Sequence, residues 1–351
     1  MFTPATLTDL QAHGFDTLID VRSPSEFAED HIPGAINLPV LNDEERARVG
    51  TIYKQVAPFE ARKIGASLVF ANAARHIEAS LRHHDGAWRP LIYCWRGGQR
   101  SGSFGWMLGE IGWRAEVLQG GYQTYRRMIV DRLYDQPLPH RLIRLGGYTG
   151  TAKTEVLAHL AAQGVQSIDL EGLARHRGSL LGGMAEPQPS QKGFESALAL
   201  ALRALDPARP VVVEAESSKI GEISLPPSLW SAMGAAPLIE LRAPLEARAR
   251  YLATAYAAVL EDADVLKDKL SPLRRHRGHA LVDHWNTLID AGARVDLCRS
   301  LAADHYDPAY DKSAATNRGA VIATLHAEAL DAAALPALAA RIAAVVQAST
   351  I

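Results

Sequence analysis

Cys94 is one of only two cysteines in 351 residues, and it sits in LIYCWRGGQRSGS (91–103), between an apolar run and a loop of glycines and arginines. Gly97 and Gly98 let the backbone curl with positive φ, so that successive amide N–H groups point at one centre. The helix expected to start just after them adds partial positive charge, and Arg96 and Arg100 add whole charges. An unperturbed thiol, with a pKa of about 8.5, is only a few per cent ionised at neutral pH; such surroundings bring it to roughly 3.5–7.5. Cys94, Arg96 and Arg100 are therefore the candidate catalytic residues, with a thiolate as nucleophile. The spacing from Cys94 to Arg100 also satisfies the C-x5-R pattern of cysteine phosphatases. A phosphatase loop must envelop a phosphate dianion, whereas a persulfide-type loop cradles one sulfur or selenium atom. Spacing leaves both open.

A second constellation lies in RLIRLGGYTGTAKTEVLAHLAAQG (141–164). Gly147-Tyr148-Thr149-Gly150-Thr151-Ala152-Lys153-Thr154 fits the phosphate-loop pattern G-x-x-x-x-G-K-[ST] except at Ala152, where the pattern has its second glycine. Backbone N–H groups of such a loop wrap phosphates, the lysine reaches the terminal phosphate and the Thr hydroxyl meets Mg²⁺. Gly147, Thr149, Gly150, Thr151, Ala152, Lys153 and Thr154 are thus the candidate phosphate or diphosphate ligands. The extra methyl of Ala152 is expected where backbone and ligand approach closely, which weakens nucleotide binding. Downstream, PVVVEAES ends a buried run in Glu214 and Glu216, placed to hold a metal or its water. Mg²⁺ is the ion this admits, and no residue is assigned firmly to a metal.

Both loops need a strand before them and a helix after. DTLID, AINLP, RPLIYC and AEVL read as short strands, alternating with helices in SPSEFAEDH, SGSFGWMLGEIGW and GGYQTYRRMIVDRL. Ser23-Pro24-Ser25-Glu26 has the S-x-x-E capping pattern with Pro24 at the first helical position. Such alternation implies a parallel sheet, with active sites at the carboxyl ends of strands. Leu142–Leu145, PVVVEAES and PLIELRAP supply a second set of strands, and Val156, Leu157, Leu160 and Ala161 mark the apolar face of the helix after the phosphate loop. From about Pro244 the chain reads as mostly helical, in EARARYLATAYAAVL, LVDHWNTLIDAG and the Ala-rich tail. Cys298, in VDLCRSL, reads as core. Two prolines in DQPLPHR mark the link, dividing the chain into domains 1–135 and 140–351. The fold class is α/β throughout, with a helical C-terminal part.

Composition excludes several classes. With 48% hydrophobic and 22% charged residues the chain builds ordinary cores. A net charge of −2 advertises no polyanion partner in bulk, so any such site must come from local clustering. Two cysteines make no disulfide framework and suit a reducing compartment. No segment has the length and apolarity of a membrane span, and the first residues lack a secretory pattern. A cytoplasmic protein is expected. Local basic clusters are Arg274, Arg275 and Arg277 beside His276 and His279; Arg175, His176 and Arg177; and Arg126 and Arg127 beside Tyr122 and Tyr125. Stacking aromatics and basic groups are what RNA recognition uses, although solvated helix faces look the same.

The stretch DVRSPSEF…HIPGAINLP, with its strand-end cysteine loop, resembles a rhodanese (sulfurtransferase) domain. The wider set is more specific. It includes IYKQVAPFEARKIGA, YCWRGGQRSGS, LQGGYQTYR, GGYTGTAKT, LEGLARHRGS, PQPSQKGFE, EAESSKIGEISLP and HYDPAYDKS. Together these resemble the bacterial tRNA 2-selenouridine synthase family over almost the whole chain. The resemblance implies a rhodanese-like parallel-sheet domain followed by a P-loop-like α/β domain, and a transferase acting on tRNA that carries 2-thiouridine at the wobble position. It implies geranyl diphosphate and selenophosphate as substrates. An S-geranyl intermediate would form first, and its sulfur would then be exchanged for selenium. An enzyme producing selenophosphate becomes an expected partner. A free-standing sulfurtransferase and a C-x5-R phosphatase are the competing readings.

Overall fold

The structure, a computed structural model, describes the backbone of residues 1–314 and 319–349. It divides into two compact units, residues 1–136 with 189–199 and residues 137–188 with 200–351.

In the first unit β1 (Thr17–Asp20), β2 (Ala35–Asn37), β3 (Pro90–Tyr93) and β4 (Glu116–Val117) form a parallel sheet in the order β2-β1-β3-β4. All four residues of β3 are buried, which is why this strand reads as an unbroken apolar run rather than an alternation. Ile19 pairs with Ile92 across β1 and β3, and the winding direction reverses between these two strands. Their carboxyl ends therefore flank the crevice where such sheets bind ligands. Helix Pro24–Glu29 starts as its capping pattern predicts, with the Ser23 N–H donating to the Glu26 carboxylate at 3.2 Å. Helix Gln99–Ile111 forms despite its glycines. A Cβ on Gly105 would lie 3.1 Å from Val117 Cγ2, so the bare glycine lets this helix lie close on the sheet. Ile19, Val21, Ile92, Phe104, Leu108 and Trp113 anchor the core.

In the second unit β5 (Leu142–Gly147), β6 (Gln166–Ile168), β7 (Val211–Glu214), β10 (Leu238–Arg242) and β11 (Val321–His326) make a parallel sheet in the order β11-β10-β5-β7-β6. An antiparallel ribbon joins β8 (Lys219–Ile220) to β9 (Ile223–Ser224). β5 is central and buried at all six residues. Strand β11 corrects the mostly helical reading of the C-terminal part. VIATLH is β-branched, but it lies among Ala-rich helix formers, and pairing with β10 from Leu238 to Arg242 decides its state. Helices Leu245–Ala255, His279–Asp290 and Arg294–Leu301 follow the expected helical stretches, the first ending five residues sooner than read. The tail is helical only from Leu335 to Ala348, where it packs on helix Lys153–Leu160. Val156, Leu157 and Leu160 are buried as read, whereas Ala161 is exposed. Among the described residues no helix is long and apolar enough to cross a membrane.

Candidate active site: a cysteine loop and a phosphate loop

Cys94 follows β3 directly and is buried, at 3% exposure. Gly97 curls the loop with φ +66°, but Gly98 does not share that conformation, having φ −99°. One left-handed residue suffices because a second loop supports the first. The Tyr122 N–H donates to the Cys94 carbonyl at 2.9 Å and the Gln123 N–H to that of Trp95 at 3.0 Å. A Cβ on Gly97 would lie 2.6 Å from the Leu118 carbonyl, and one on Gly121 would strike the Cys94 carbonyl. The glycines of CWRGG and LQGG thus interlock backbone to backbone.

Burial pushes the Cys94 thiol up, but other groups more than offset it, and its pKa lies below the ordinary value. The Ser101 hydroxyl donates to Sγ at 3.2 Å, and the Ser101 and Gly98 amides and the Arg100 charge favour the thiolate. Ser101 was absent from the sequence reading, although it stands one position beyond the marked arginine. Arg100 differs from expectation. Its guanidinium donates to Glu26 at 2.8 Å and 3.5 Å, and Glu26 is held below the usual carboxylate range: burial opposes this, but the Arg100 hydrogen bond and charge, the Ser23 N–H and the Arg46 charge together outweigh burial. A phosphatase arginine at this spacing must close over a bound dianion; this one is engaged elsewhere. Arg96 is exposed beside the loop. Cys298 is buried in a helical core with its pKa pushed up to about 12 by burial, a structural thiol as read.

Residues missed in the sequence surround the loop. Arg22, 1% exposed, donates from Nε to both oxygens of Asp20 and from a terminal nitrogen to the Asp30 carbonyl at 2.7 Å. Its guanidinium carbon lies 4.0 Å from the Tyr122 ring centroid. Asp30 accepts from the Tyr122 hydroxyl at 2.7 Å and from Ser196 at 2.9 Å, and burial raises its pKa. Residues 189–199 bring Ser196, and also Lys192, which pairs with Glu29 at 2.6 Å and lies 5.9 Å from the Trp95 ring centroid. The signal for them was the PQPSQKGFE motif, to which no chemistry was attached.

The phosphate loop follows β5, beside the reversal of winding in the second sheet. Gly147 takes φ +151° and Gly150 φ +85°. Lys153 Nζ donates to the Gly147 carbonyl at 3.3 Å, folding back over the loop, and the Thr151 hydroxyl donates to the Tyr148 carbonyl at 2.9 Å. Arg248 ties the Thr149 carbonyl at 3.2 Å to a bidentate pair with Asp307. Ala152 has φ +57°, a left-handed conformation that costs a non-glycine residue roughly 1–2 kcal/mol. Its methyl is 3% exposed and belongs to the core with Val156 and Leu160. The expectation that it crowds the ligand is corrected: the substitution costs backbone strain, and its methyl faces inward.

Thr154 Oγ1 lies 2.9 Å from Glu171 Oε2 and 2.8 Å from Glu214 Oε1. One hydroxyl carries one proton, so two such contacts require a protonated carboxyl on one side. The shifts agree. Burial, then Glu216, pushes Glu171 up to about 7; burial, then Glu171, raises Glu214 well above the carboxylate range; burial also raises Glu216. Gly178 of the LEGLARHRGS motif lies against this group, since a Cβ there would meet Glu216 at 2.6 Å. Glu171 was missed because it stands in a helix, far in sequence from the acidic strand end. Among the described residues no cluster of three or more His, Cys, Asp and Glu is arranged to hold a metal ion.

The basic residues separate into several environments. Arg126 is not a surface group: it pairs with the buried Glu195, and Tyr122 and Tyr125 are fully buried, so only Arg127 of that patch is exposed. Arg175 is exposed and pairs with Glu186 at 3.1 Å. His176 accepts from the Gly178 N–H, and burial together with Lys269 lowers its pKa. Arg177 lies over the Tyr256 ring at 4.9 Å. Arg274 pairs with Asp283 and Arg277 donates to the His305 carbonyl, while Arg275 is exposed. A surface that the sequence reading did not single out lies at the turn between helices Asp43–Gln55 and Pro58–His76. Tyr53, Val56 and Phe59 are each more than half exposed there, and Lys63 lies 5.4 Å from the Phe59 ring.

The cysteine loop falls within a match to the rhodanese-like domain family over residues 3–128. The phosphate loop falls within a match to the tRNA 2-selenouridine synthase AAA domain over residues 140–280. A tRNA 2-selenouridine synthase of Nitrosomonas europaea is 34% identical over 305 residues, covering 82% of this chain and 77% of that one. One from Shewanella loihica is 33% identical over 322 residues, covering 84% and 86%. One from Marinobacter nauticus is 34% identical over 338 residues, covering 87% and 90%. With both loops built as described and relatives aligned over most of both chains, the protein belongs to the tRNA 2-selenouridine synthase family.

Proposed function

We propose that this chain replaces the sulfur of a wobble 2-thiouridine in tRNA by selenium, through an S-geranyl intermediate. The observation that carries the reading is a pair of sites in one chain. A thiol with a lowered pKa stands at the end of β3, and a phosphate loop stands at the end of β5. In the first half-reaction the 2-thio sulfur bonds to the allylic carbon of geranyl diphosphate and diphosphate leaves. Lys153 and the loop amides take up its charge. In the second, selenium delivered from selenophosphate adds at C2 and the geranylthiolate leaves, while phosphorus passes to water as phosphate. Cys94 would hold the selenium donor, and with Arg100 bound to Glu26 the departing phosphate is met by the loop amides and Arg96.

Mg²⁺ travels with diphosphates and takes few protein ligands. Thr154 with Glu171 and Glu214 would meet it, and its charge would return those carboxyls to the ionised form. tRNA contacts would come from Arg127, Arg175 and Arg275, and from the aromatic-basic turn at Tyr53 and Phe59. The test is mass spectrometry of nucleosides from a 2-thiouridine tRNA incubated with the pure protein and geranyl diphosphate, selenophosphate, both or neither. An S-geranyl nucleoside with the first, and 2-selenouridine with both, is expected. No mass change with intact tRNA and folded protein overturns the reading.

A further inference from the structure

Three successive carbonyls of the phosphate loop are held by side chains: Gly147 by Lys153 at 3.3 Å, Tyr148 by the Thr151 hydroxyl at 2.9 Å and Thr149 by Arg248 at 3.2 Å. Among the described residues no peptide bond is cis, and in a trans peptide the carbonyl and the following N–H point opposite ways. Each holder therefore also fixes the direction of one amide, and Arg248 fixes that of Gly150. A loop that binds phosphate needs its amides turned to the ligand and its carbonyls turned away.

Arg248 differs from the other two holders. Lys153 must leave Gly147 to reach a phosphate, and Thr151 belongs to the loop itself. Arg248 comes from helix Leu245–Ala255, is 4% exposed, and is clamped by both oxygens of Asp307 at 2.8 Å and 2.7 Å. Asp307 opens helix Asp307–Ala314, in the HYDPAYDKS motif, to which no chemistry was attached. The same helix accepts the Tyr148 hydroxyl on Asp311 at 2.7 Å and lays Tyr310 beside the Tyr148 ring, while the Arg248 guanidinium covers that ring at 5.0 Å. The loop needs this outside support because Ala152 keeps a left-handed backbone, and such strain persists only where the surroundings over-determine it.

We infer that Arg248, held by Asp307, is a positioning residue of the phosphate loop: by keeping the Thr149 carbonyl turned outward it aims the Gly150 N–H at the phosphate. This role rests on the phosphate-loop reading and extends the site to two residues that touch no ligand.

The test is calorimetric titration of the full chain with inorganic pyrophosphate. Removing one member of a buried ion pair threatens the fold, whereas replacing both by apolar residues of similar size often does not. Arg248→Met combined with Asp307→Leu should therefore melt near the parent temperature, yet bind pyrophosphate about tenfold more weakly, since one amide contact to the anion is lost. Asp307→Asn, which keeps the shape, should also weaken binding, because half of the clamp that keeps Arg248 on Thr149 is gone. An arginine that touched the phosphate would instead be released by that change. Tighter or unchanged binding by Asp307→Asn thus overturns the positioning role, as does parent-like affinity of the folded double variant. Should the double variant not fold, Asp307→Asn decides alone. Lys153→Ala, titrated alongside, separates the two levels. If it weakens binding and the other variants do not, only the positioning role falls; if it changes nothing, the phosphate-loop reading falls as well.

Discussion

The Ser101 hydroxyl donates to Cys94 Sγ across 3.2 Å, from the first turn of the helix that follows the cysteine loop. A donor stabilises the thiolate over the thiol, so Ser101→Ala removes the leading influence that offsets burial. The pH profile of Cys94 alkylation should move to higher pH, with the variant slower at neutral pH and equal to the parent in strong base. Cys298 adds little background, because burial pushes its pKa up to about 12 and it stays a thiol. An unmoved profile would assign the lowered pKa to the loop amides and Arg100.

Glu171 titrates near 7 in the folded chain, against an ordinary carboxylate value in the unfolded one. The unfolded state therefore loses its proton first as pH rises. Stability is greatest below about pH 4.5 as far as this group is concerned, and is lost as pH rises through about 7. Glu171→Gln should stabilise the ligand-free protein at pH 8 by roughly 1–3 kcal/mol and change it little at pH 5. Denaturant melts at the two pH values check this.

Gly121→Ala places a methyl against the Cys94 carbonyl in a backbone with φ +57°. Gly34 shares a positive φ of +84° but has open space around it. The first substitution should cost roughly 2–4 kcal/mol, because steric clash adds to backbone strain, and should abolish selenium incorporation; Gly34→Ala should cost about 1 kcal/mol and spare activity. Thermal melts and nucleoside analysis separate the two.

Ala152→Gly relieves about 1–2 kcal/mol of left-handed strain and gives up about 0.8 kcal/mol of methyl burial and some chain stiffness. The net change in stability should stay within about 1 kcal/mol, and pyrophosphate affinity should not change, since the methyl packs in the core. A large gain in affinity would mean that the methyl does face the ligand.

Binding of 2-thiouridine tRNA should weaken steeply with salt, and Arg127→Ala or Lys63→Ala should each lower the slope by about one phosphate contact. Phe59→Ala should weaken binding without altering the slope, as a stacking residue does. Arg126→Ala, by contrast, should act on stability, because it leaves Glu195 buried and with one partner fewer.

Most elements were legible because their signals are local. Buried parallel strands announce themselves as short apolar runs, and S-x-x-E marks the helix at Pro24. The two loops were legible for the same reason, each being one strand, one turn and one helix. What escaped depends on long-range pairing. β11 is a strand because β10 lies beside it, and Glu171 acts through Thr154 and Glu214, which come from two other elements. Arg100 and Arg126 were identified as cations but not as partners of Glu26 and Glu195, since charge is a property of a residue and availability a property of its neighbours.

The first unit is discontinuous, and this sets an order on its making. A ribosome that has delivered residue 136 has delivered every strand of the first sheet, but neither Ser196 for Asp30 nor Glu195 for Arg126 and Tyr134. The nascent unit must wait, with Asp30 held by Tyr122 but short of Ser196 and with Arg126 and Tyr134 lacking Glu195, until residues 189–199 have emerged. Its completion is thus a late event in synthesis, and the region beside Cys94 stays unfinished while the phosphate loop is already being made.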